Sequence, residues 1–264
     1  MNHHDVGRYW NANAEAWTRL ARAGYDIYRD FLNTPAFFEM LPDIRGLRAL
    51  DVGCGEGYNT RLLAERGARV TGIDIAGTFI AAAVALERER PLGIDYHIAS
   101  AVELPFAHAT FDVVTAFMSL MDIPEPERAA NEAFRVLRPG GFLQFSISHP
   151  CFMTPRWRAV KDEHGTKVAV EVGDYFENQN GAIDEWLFSA APPELRQGAE
   201  PFRIPRFTRT MSQWLNLLLD AGFMIERAGE PYPSDDAVRQ RPRLARARVV
   251  ADFFHVRARK PAAG

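Results

Sequence analysis

The sequence predicts an α/β protein built on a parallel sheet with helices on both faces. Two observations carry that prediction. Short apolar runs alternate with amphipathic helical stretches from about residue 48 to 148. One of those runs also passes directly into a loop with three glycines at alternate positions and then into a helix. In order, the runs are 48–53 (RALDVG), 68–74 (ARVTGID), 94–100 (IDYHIAS), 111–117 (FDVVTAF) and 141–148 (GFLQFSIS), read as five strands. Helices are predicted at 57–66, 77–90 and 125–137, with exits marked by Gly67 and by Pro139-Gly140-Gly141.

Ahead of this series, Trp10, Ala14, Trp17, Leu20 and Ala21, then Tyr25, Tyr28, Phe31 and Leu32, recur mostly three or four apart, so residues 5–40 read as successive helices. Behind it, residues 151–207 break the alternation. This stretch has prolines at 155, 192, 193, 201 and 205 and no long periodic segment, yet it carries Phe152, Trp157, Tyr175, Phe176, Trp186, Phe188, Phe202 and Phe207. So many large aromatics require something to pack against, and the stretch reads as an insertion. Thr210-Met-Ser-Gln213 has capping-box spacing and opens a helix that ends at Ala221-Gly222. Phe223 to Arg227 and Val249 to Arg259 then read as two last strands.

The 264-residue chain, 47% hydrophobic and 25% charged with a net charge of -3, fits one folded domain with an accessory segment. That charge gives no global attraction to nucleic acid or anionic membrane. The one strong basic cluster, Arg239 to Arg248, follows Asp235 and Asp236 and has no interleaved aromatics, so it reads as a solvated connection. Cys54 and Cys151 form neither a disulfide framework nor a Cys-x-x-Cys pair, which suits a reducing compartment. With no leader-like N-terminus and no run of about eighteen apolar residues, the expectation is a cytoplasmic protein without a membrane span. His3 and His4 read as a solvated terminus, and no metal site is expected.

The segment Leu50-Asp-Val-Gly-Cys-Gly-Glu-Gly57 carries the chemistry. Glycines at 53, 55 and 57 let the backbone approach a ligand closely and aim helix N-terminal N–H groups at it. A dinucleotide fingerprint counted from Gly53 and Gly55 needs its third glycine at 58, which is Tyr58, so a nicotinamide oxidoreductase is disfavoured. Asp51 offers a carboxylate suited to an amino-acid ammonium. Asp74, 21 residues beyond Gly53 at a strand's carboxyl end, is placed to accept hydrogen bonds from both hydroxyls of a ribose.

This segment resembles motif I of the class I S-adenosylmethionine methyltransferases, (D/E)-x-G-x-G-x-G, and the match is complete. Further landmarks follow in that family's order: Gly72-Ile73-Asp74, Leu104-Pro105-Phe106, Phe111-Asp112, Arg135 to Gly141, and Ala221-Gly222-Phe223. The resemblance, of the methyltransferase type 11 or ubiquinone-menaquinone methyltransferase kind, implies a Rossmann-like seven-stranded sheet, mostly parallel with an antiparallel last strand. It implies a helical cap over 1–45, a cofactor-binding core over 46–150, an aromatic-rich lid over 151–207, and a C-terminal helix and strands over 208–264. It also implies S-adenosylmethionine as cofactor and S-adenosylhomocysteine as product. Ile75, Ala101 and Val102 are then placed beside the adenine, Ser100 stands where family members often have an acidic residue, and Met118 borders the methionine end. Tyr9 and Trp17 are the aromatic residues placed to close over the cofactor.

Methyl transfer from a sulfonium is an in-line displacement, so the protein has chiefly to align the partners and exclude water. A hydroxyl or protonated amine acceptor needs a base, and His149, at the end of the fifth strand, and Asp122, after the fourth, are the candidates. Met118-Ser-Leu-Met-Asp122 stands where an Asn-Pro-Pro-Tyr-like motif would mark nucleobase or amide N-methylation. The expected partner is a small aromatic or apolar acceptor, with oxygen, nitrogen and carbon all open as the methylated atom. The alternative from another class is a non-catalytic S-adenosylmethionine-binding regulatory module.

Overall fold

In the computed structural model, residues 1–197 and 200–262 are described; residues 198–199, inside the predicted insertion, and 263–264 lie outside that description. The five predicted core strands form as β1 (Arg48–Val52), β2 (Arg69–Asp74), β3 (Asp95–Ile98), β4 (Phe111–Phe117) and β5 (Leu137–Ser148). The insertion supplies β6 (Arg156–Lys161), β7 (Lys167–Gly173), β8 (Ala182–Trp186) and β9 (Phe202–Arg206), and the chain ends with β10 (Met224–Gly229) and β11 (Phe253–Arg259). The helices are α1 (His3–Arg22), α2 (Thr34–Met40), α3 (Tyr58–Glu65), α4 (Gly77–Glu89), α5 (Pro126–Val136), α6 (Pro193–Gln197), α7 (Met211–Asp220) and α8 (Asp235–Gln240).

Seven strands make one sheet in the order β10-β11-β5-β4-β1-β2-β3. β1 pairs in parallel with β2 and β4, β2 with β3, and β4 with β5, whereas β11 runs antiparallel to both of its neighbours. The Rossmann-like sheet with a reversed last strand is therefore present as expected. Both faces are buried. Ala49, Val113 and Phe142 point toward Phe37, Phe38 and Leu63 of α2 and α3. Their sequence neighbours Leu50, Val114 and Leu143 point the opposite way, toward Ala133 of α5 and Trp214 and Leu218 of α7. Burial on both faces is why these strands read as continuous apolar runs.

Boundaries differ from the sequence reading where pairing or turns extend or shorten a strand. β5 begins at Leu137 rather than 141, because Leu137 pairs with Phe111 before an irregularity in the ladder. β11 begins at Phe253 rather than Val249, because Pro242–Arg248 is a 3₁₀ turn held by Arg248, which donates to the Pro233 carbonyl and pairs with Asp235 at 2.6 Å. Among the described residues, no helix is long and apolar enough to cross a membrane.

The insertion is more regular than its sequence suggests: it holds two antiparallel hairpins, β6–β7 and β8–β9. The second lies against α1, where Phe188, Phe202 and Ile204 pack with Leu20, Ala21, Trp17 and Trp186. Rings of Trp17 and Phe202 stand 4.8 Å apart and those of Trp17 and Trp186 5.3 Å apart, within the range of favourable aromatic pairs. Asn13 of α1 closes the seam. Its side chain donates to the Arg203 carbonyl (3.0 Å) and accepts from the Arg203 N–H (3.2 Å), as a neighbouring strand would. Asn13→Ala removes both bonds from a buried seam, so the β8–β9 hairpin is expected to exchange its amide hydrogens about tenfold or more faster while the sheet strands are unaffected. Hydrogen-exchange mass spectrometry reads this, and uniform exchange in both regions would show that the hairpin is not held through Asn13.

Candidate active site

One large cavity, about 460 Å³, opens at the carboxyl ends of β1, β2, β4 and β5, the usual ligand crevice of such sheets. Its floor is the glycine loop, and each of the three glycines is required for a different reason. Gly53 has φ +69°, and a Cβ there would overlap Ser119 Cβ. Gly57 has φ +87°, and a Cβ would lie 2.6 Å from the Tyr96 hydroxyl. Gly55 has φ +55° and, of the three, is the one with no atom within 4 Å of a Cβ position, so its bare backbone faces open space that a ligand can enter.

Two carboxylates brace this loop. Asp51 at the end of β1 is fully buried and accepts from Thr60 Oγ1 (2.7 Å) and Thr115 Oγ1 (2.8 Å). Burial pushes its carboxyl up from the usual range and the two hydroxyls pull it back. Asp74 at the end of β2 accepts the Gly55 N–H at Oδ2 (2.9 Å) and the Ala76 N–H at Oδ1 (2.8 Å), tying together the loops that leave β1 and β2. Burial raises it to about 6 against those backbone bonds. Asp74 thus ties the two loops together while lining the cavity.

Of the residues expected at the cofactor, Asp51, Gly53, Gly55, Asp74, Ile75, Ser100, Ala101, Met118 and Trp17 line this cavity. Gly57, Val102 and Tyr9 do not. Gly57 packs behind the loop against Tyr96, and Val102 belongs to the apolar core with Leu104 and Leu120. On α1, His3, Val6, Trp10 and Trp17 share the cavity face; Tyr9, about 100° around the helix from Trp10, instead sits beneath the Arg203 guanidinium. Trp10 therefore stands where Tyr9 was expected.

The two expected bases separate sharply. His149 is 2% exposed and lies outside the cavity, its Nε2 2.8 Å from Glu230 Oε1 and its Nδ1 accepting from the Cys151 N–H. Strand alternation explains this: along β5, Phe145 and Ile147 face the α5 and α7 layer and His149 continues that face, stacking on Phe152 and Phe254, whereas Ser148 lines the cavity. Asp122, on a 3₁₀ turn after β4, lines the cavity and is 5% exposed, and its Oδ1 has no hydrogen-bond partner. Burial raises its carboxyl to about 7, with Arg206 of β9 opposing the rise.

Sequence reasoning missed the other wall. A π-helical turn, Arg29–Asn33, places Arg29 and Asn33 at the cavity together with Tyr25, Asp26 and Tyr28. Arg29 donates to Asp30 (2.8 Å) and Glu56 (3.2 Å) and covers the Tyr58 ring at 4.0 Å. The β8–β9 hairpin roofs the cavity with Trp186, Leu187, Phe188, Ser189, Ile204 and Arg206. All of the cavity lining that the insertion contributes comes from this hairpin; the β6–β7 hairpin contributes none and keeps Trp157 and Val172 exposed. No sequence motif marks these positions, although the density of aromatics in 186–207 pointed to a packed role.

Residues 50–145 match the family described as a methyltransferase domain. A ubiquinone biosynthesis O-methyltransferase from Aromatoleum aromaticum is 38% identical over 104 residues, covering 39% of this chain and 44% of that protein. The chain spans about half the length of the curated relatives it matches. Among solved structures, an S-adenosylmethionine-dependent methyltransferase from Mesorhizobium loti superposes with a TM-score of 0.68 at 29% identity, covering 85% of this chain and 96% of that one. The [4+2]-cyclase SpnF superposes with a TM-score of 0.55 at 25% identity, covering 87% of this chain and 81% of that one. The sheet order and the glycine loop define a Rossmann-like nucleoside-cofactor fold. With these likenesses, residues 50–145 form a methyltransferase domain, on a fold shared with S-adenosylmethionine-dependent methyltransferases.

The loop geometry gives a direct test. Gly57→Ala imposes left-handed strain worth about 1–2 kcal/mol and adds overlap with Tyr96. The Tyr96 hydroxyl is buried without a partner, so adding Tyr96→Phe to Gly57→Ala should recover the steric part and leave the strain. Chemical denaturation of the four proteins measures this coupling; strict additivity would place Tyr96 away from the loop.

Proposed function

We propose that this protein transfers the methyl group of S-adenosylmethionine to an oxygen of a small, largely apolar or aromatic acceptor, with Asp122 as the general base. The observation that carries the reading is Asp122 itself: a buried carboxyl raised to about 7, with one oxygen free of protein partners, in the cavity that the glycine loop floors. A group titrating there is matched to proton transfer near neutral pH. The name of the Aromatoleum relative supports oxygen as the methylated atom.

The residues present fit the cofactor. Open space at Gly55 admits it, and the two Asp74 oxygens, each bonded to one N–H, keep lone pairs for the ribose hydroxyls. Ile75, Ser100 and Ala101 flank the adenine, and Asp51 faces the ammonium. When bound, the cofactor supplies a methyl group already activated by its sulfonium. The protein then orients the acceptor against Met118 and Met121 beneath Trp186 and Phe188, excludes water through the hairpin roof, and takes the acceptor's hydroxyl proton onto Asp122. Apolar walls of this kind favour aromatic acceptors. The roof assigned to the lid is 182–189 and 202–206 rather than all of 151–207.

Two outcomes test this. The Asp74 carboxylate must be ionised to accept from both hydroxyls, and its raised value means it gains a proton below about pH 6. S-adenosylhomocysteine should therefore bind about tenfold more weakly at pH 5 than at pH 7.5, and calorimetry on Asp74→Asn should show weak binding at both. A wild-type dissociation constant that is the same at both values would remove Asp74 from the site.

For Asp122, the acidic limb of kcat/KM should fall near pH 7, and Asp122→Asn should lower turnover by about a hundredfold or more with S-adenosylhomocysteine affinity unchanged. Its folded value, about 7, lies above the 3.8 of an ordinary aspartate, so the folded state holds a proton that the unfolded state releases. Its contribution to stability is present below about pH 4 and is lost as pH rises toward 7. Asp122→Asn should accordingly raise the melting temperature at pH 8, with a gain that shrinks toward pH 4. An inactive but less stable variant at pH 8 would mark the residue as structural.

A further inference from the structure

Asn33 closes the π-helical turn on the acceptor side of the cavity and is 1% exposed, yet it lines that cavity. Its Oδ1 accepts two hydrogen bonds, from Ser146 Oγ of β5 (2.9 Å) and from His255 Nε2 of β11 (2.5 Å). Ser146 and His255 are direct partners across the β5–β11 ladder, so the amide is pinned to the sheet by two strands at once. Burial pushes His255 down to about 4, so it is a neutral imidazole near pH 7, and with its proton on Nε2 it donates to the amide oxygen.

The Asn33 amide nitrogen is then the end left for the cavity, and among the described residues neither of its hydrogens meets a protein acceptor. With its oxygen pinned by two strands, the amide cannot turn over, so its nitrogen stays presented as a donor to whatever occupies the cavity. Ser146 Oγ also lies 3.5 Å from Met118 Sδ, and Asn33, Met118 and Asp122 line the same cavity. π-Helical turns inserted among α-helical residues recur where a side chain must be aimed at a ligand.

We infer that Asn33 is a specificity-determining residue that donates a hydrogen bond to a second oxygen of the acceptor, next to the hydroxyl that is methylated. The inference rests on the assignment of this end of the cavity to the acceptor. It narrows the acceptor class to rings bearing a hydroxyl beside an ether, carbonyl or second hydroxyl oxygen. Asp122 receives a proton from one substituent and Asn33 donates to its neighbour, so an acceptor lacking the second oxygen leaves the amide unmatched. Sites built in this way discriminate against the analogue that lacks the partner.

The probes are 2-methoxyphenol and its near-isostere 2-ethylphenol, which exchanges the ether oxygen for a methylene. Binding is read by calorimetry with the protein saturated in S-adenosylhomocysteine, and methyl transfer is read separately with labelled S-adenosylmethionine. The wild type should bind 2-methoxyphenol about three- to tenfold more tightly. Asn33→Asp keeps an oxygen for Ser146 and His255 but replaces the donor with an acceptor, so the preference should disappear or invert while S-adenosylhomocysteine affinity holds. His255→Phe, which frees the amide to rotate, should weaken the preference without inverting it.

Equal binding of the two probes by the wild type, no binding of either, or an unaltered ratio in Asn33→Asp would overturn the inference. So would a loss of S-adenosylhomocysteine affinity in Asn33→Asp, which would put the amide on the cofactor. A binding preference that depends on Asn33 without labelled methyl appearing on either phenol would instead count against methyl transfer and leave Asn33 in its place.

Discussion

The site depends on one buried carboxylate bridging two loops. Asp74 takes an N–H from Gly55, in the turn after β1, and another from Ala76, in the turn after β2, and so fixes the width of the crevice at the sheet's edge. Those bonds act with the Cys54 N–H to Ile73 carbonyl (2.9 Å) and Gly57 N–H to Cys54 carbonyl (3.0 Å) bonds to hold the left-handed backbone at Gly53, Gly55 and Gly57 in one shape. Asp51 does the same work one strand over, through Thr60 on α3 and Thr115 on β4, so that β1, β4 and α3 meet at a single carboxylate. The floor is preorganised by charge-assisted hydrogen bonds.

That construction concentrates negative charge. Asp26, Asp51, Glu56, Asp74 and Asp122 all line the cavity, and the two arginines there, Arg29 and Arg206, are already engaged by Asp30 and Glu56 and by Asp184. Burial raises Asp26 and Asp74 to about 6 and Asp122 to about 7, which is how so many carboxylates share one enclosure. An enclosure of this sign favours a cationic ligand over a neutral one of the same shape. The sulfonium of S-adenosylmethionine is cationic and the thioether of its demethylated product is not, so carboxylates ionised in this enclosure favour the first over the second.

The fold was legible because a sheet buried on both faces leaves long apolar runs, and a glycine loop leaves a pattern that local sterics enforce. The same double burial hid the direction of individual side chains. Residues 142–149 alternate between two interior faces, and composition does not say which face borders the cavity; His149 was read onto the wrong one and Ser148 occupies the right one. The choice between Tyr9 and Trp10 on α1 is the helical form of the same ambiguity. The β8–β9 hairpin escaped because its strands are five residues each, with Pro205 inside the second, and its pairing is specified by packing on Trp17 and by Asn13 rather than by local pattern. Asn33 belongs to no motif, since its role comes from Ser146 and His255, more than a hundred residues away.

The match to the methyltransferase family ends at residue 145 and begins at residue 50, and this boundary divides the cavity. Asp51, the glycine loop, Asp74, Ser100, Met118 and Asp122 lie inside it, whereas Asn33, Ser148, Trp186, Phe188, Ile204 and Arg206 lie outside. The family match thus takes in the glycine loop and its braces but not the π-helical turn or the hairpin roof. A fold of this kind does not choose its reaction: one structure that superposes on this chain is named a cyclase. What narrows the chemistry here is the juxtaposition across that boundary. Asp122 lies within the matched residues, and Arg206 of the roof opposes the rise that burial imposes on its carboxyl. The Asn33 amide, outside the matched residues, is held by Ser146 of β5 and His255 of β11.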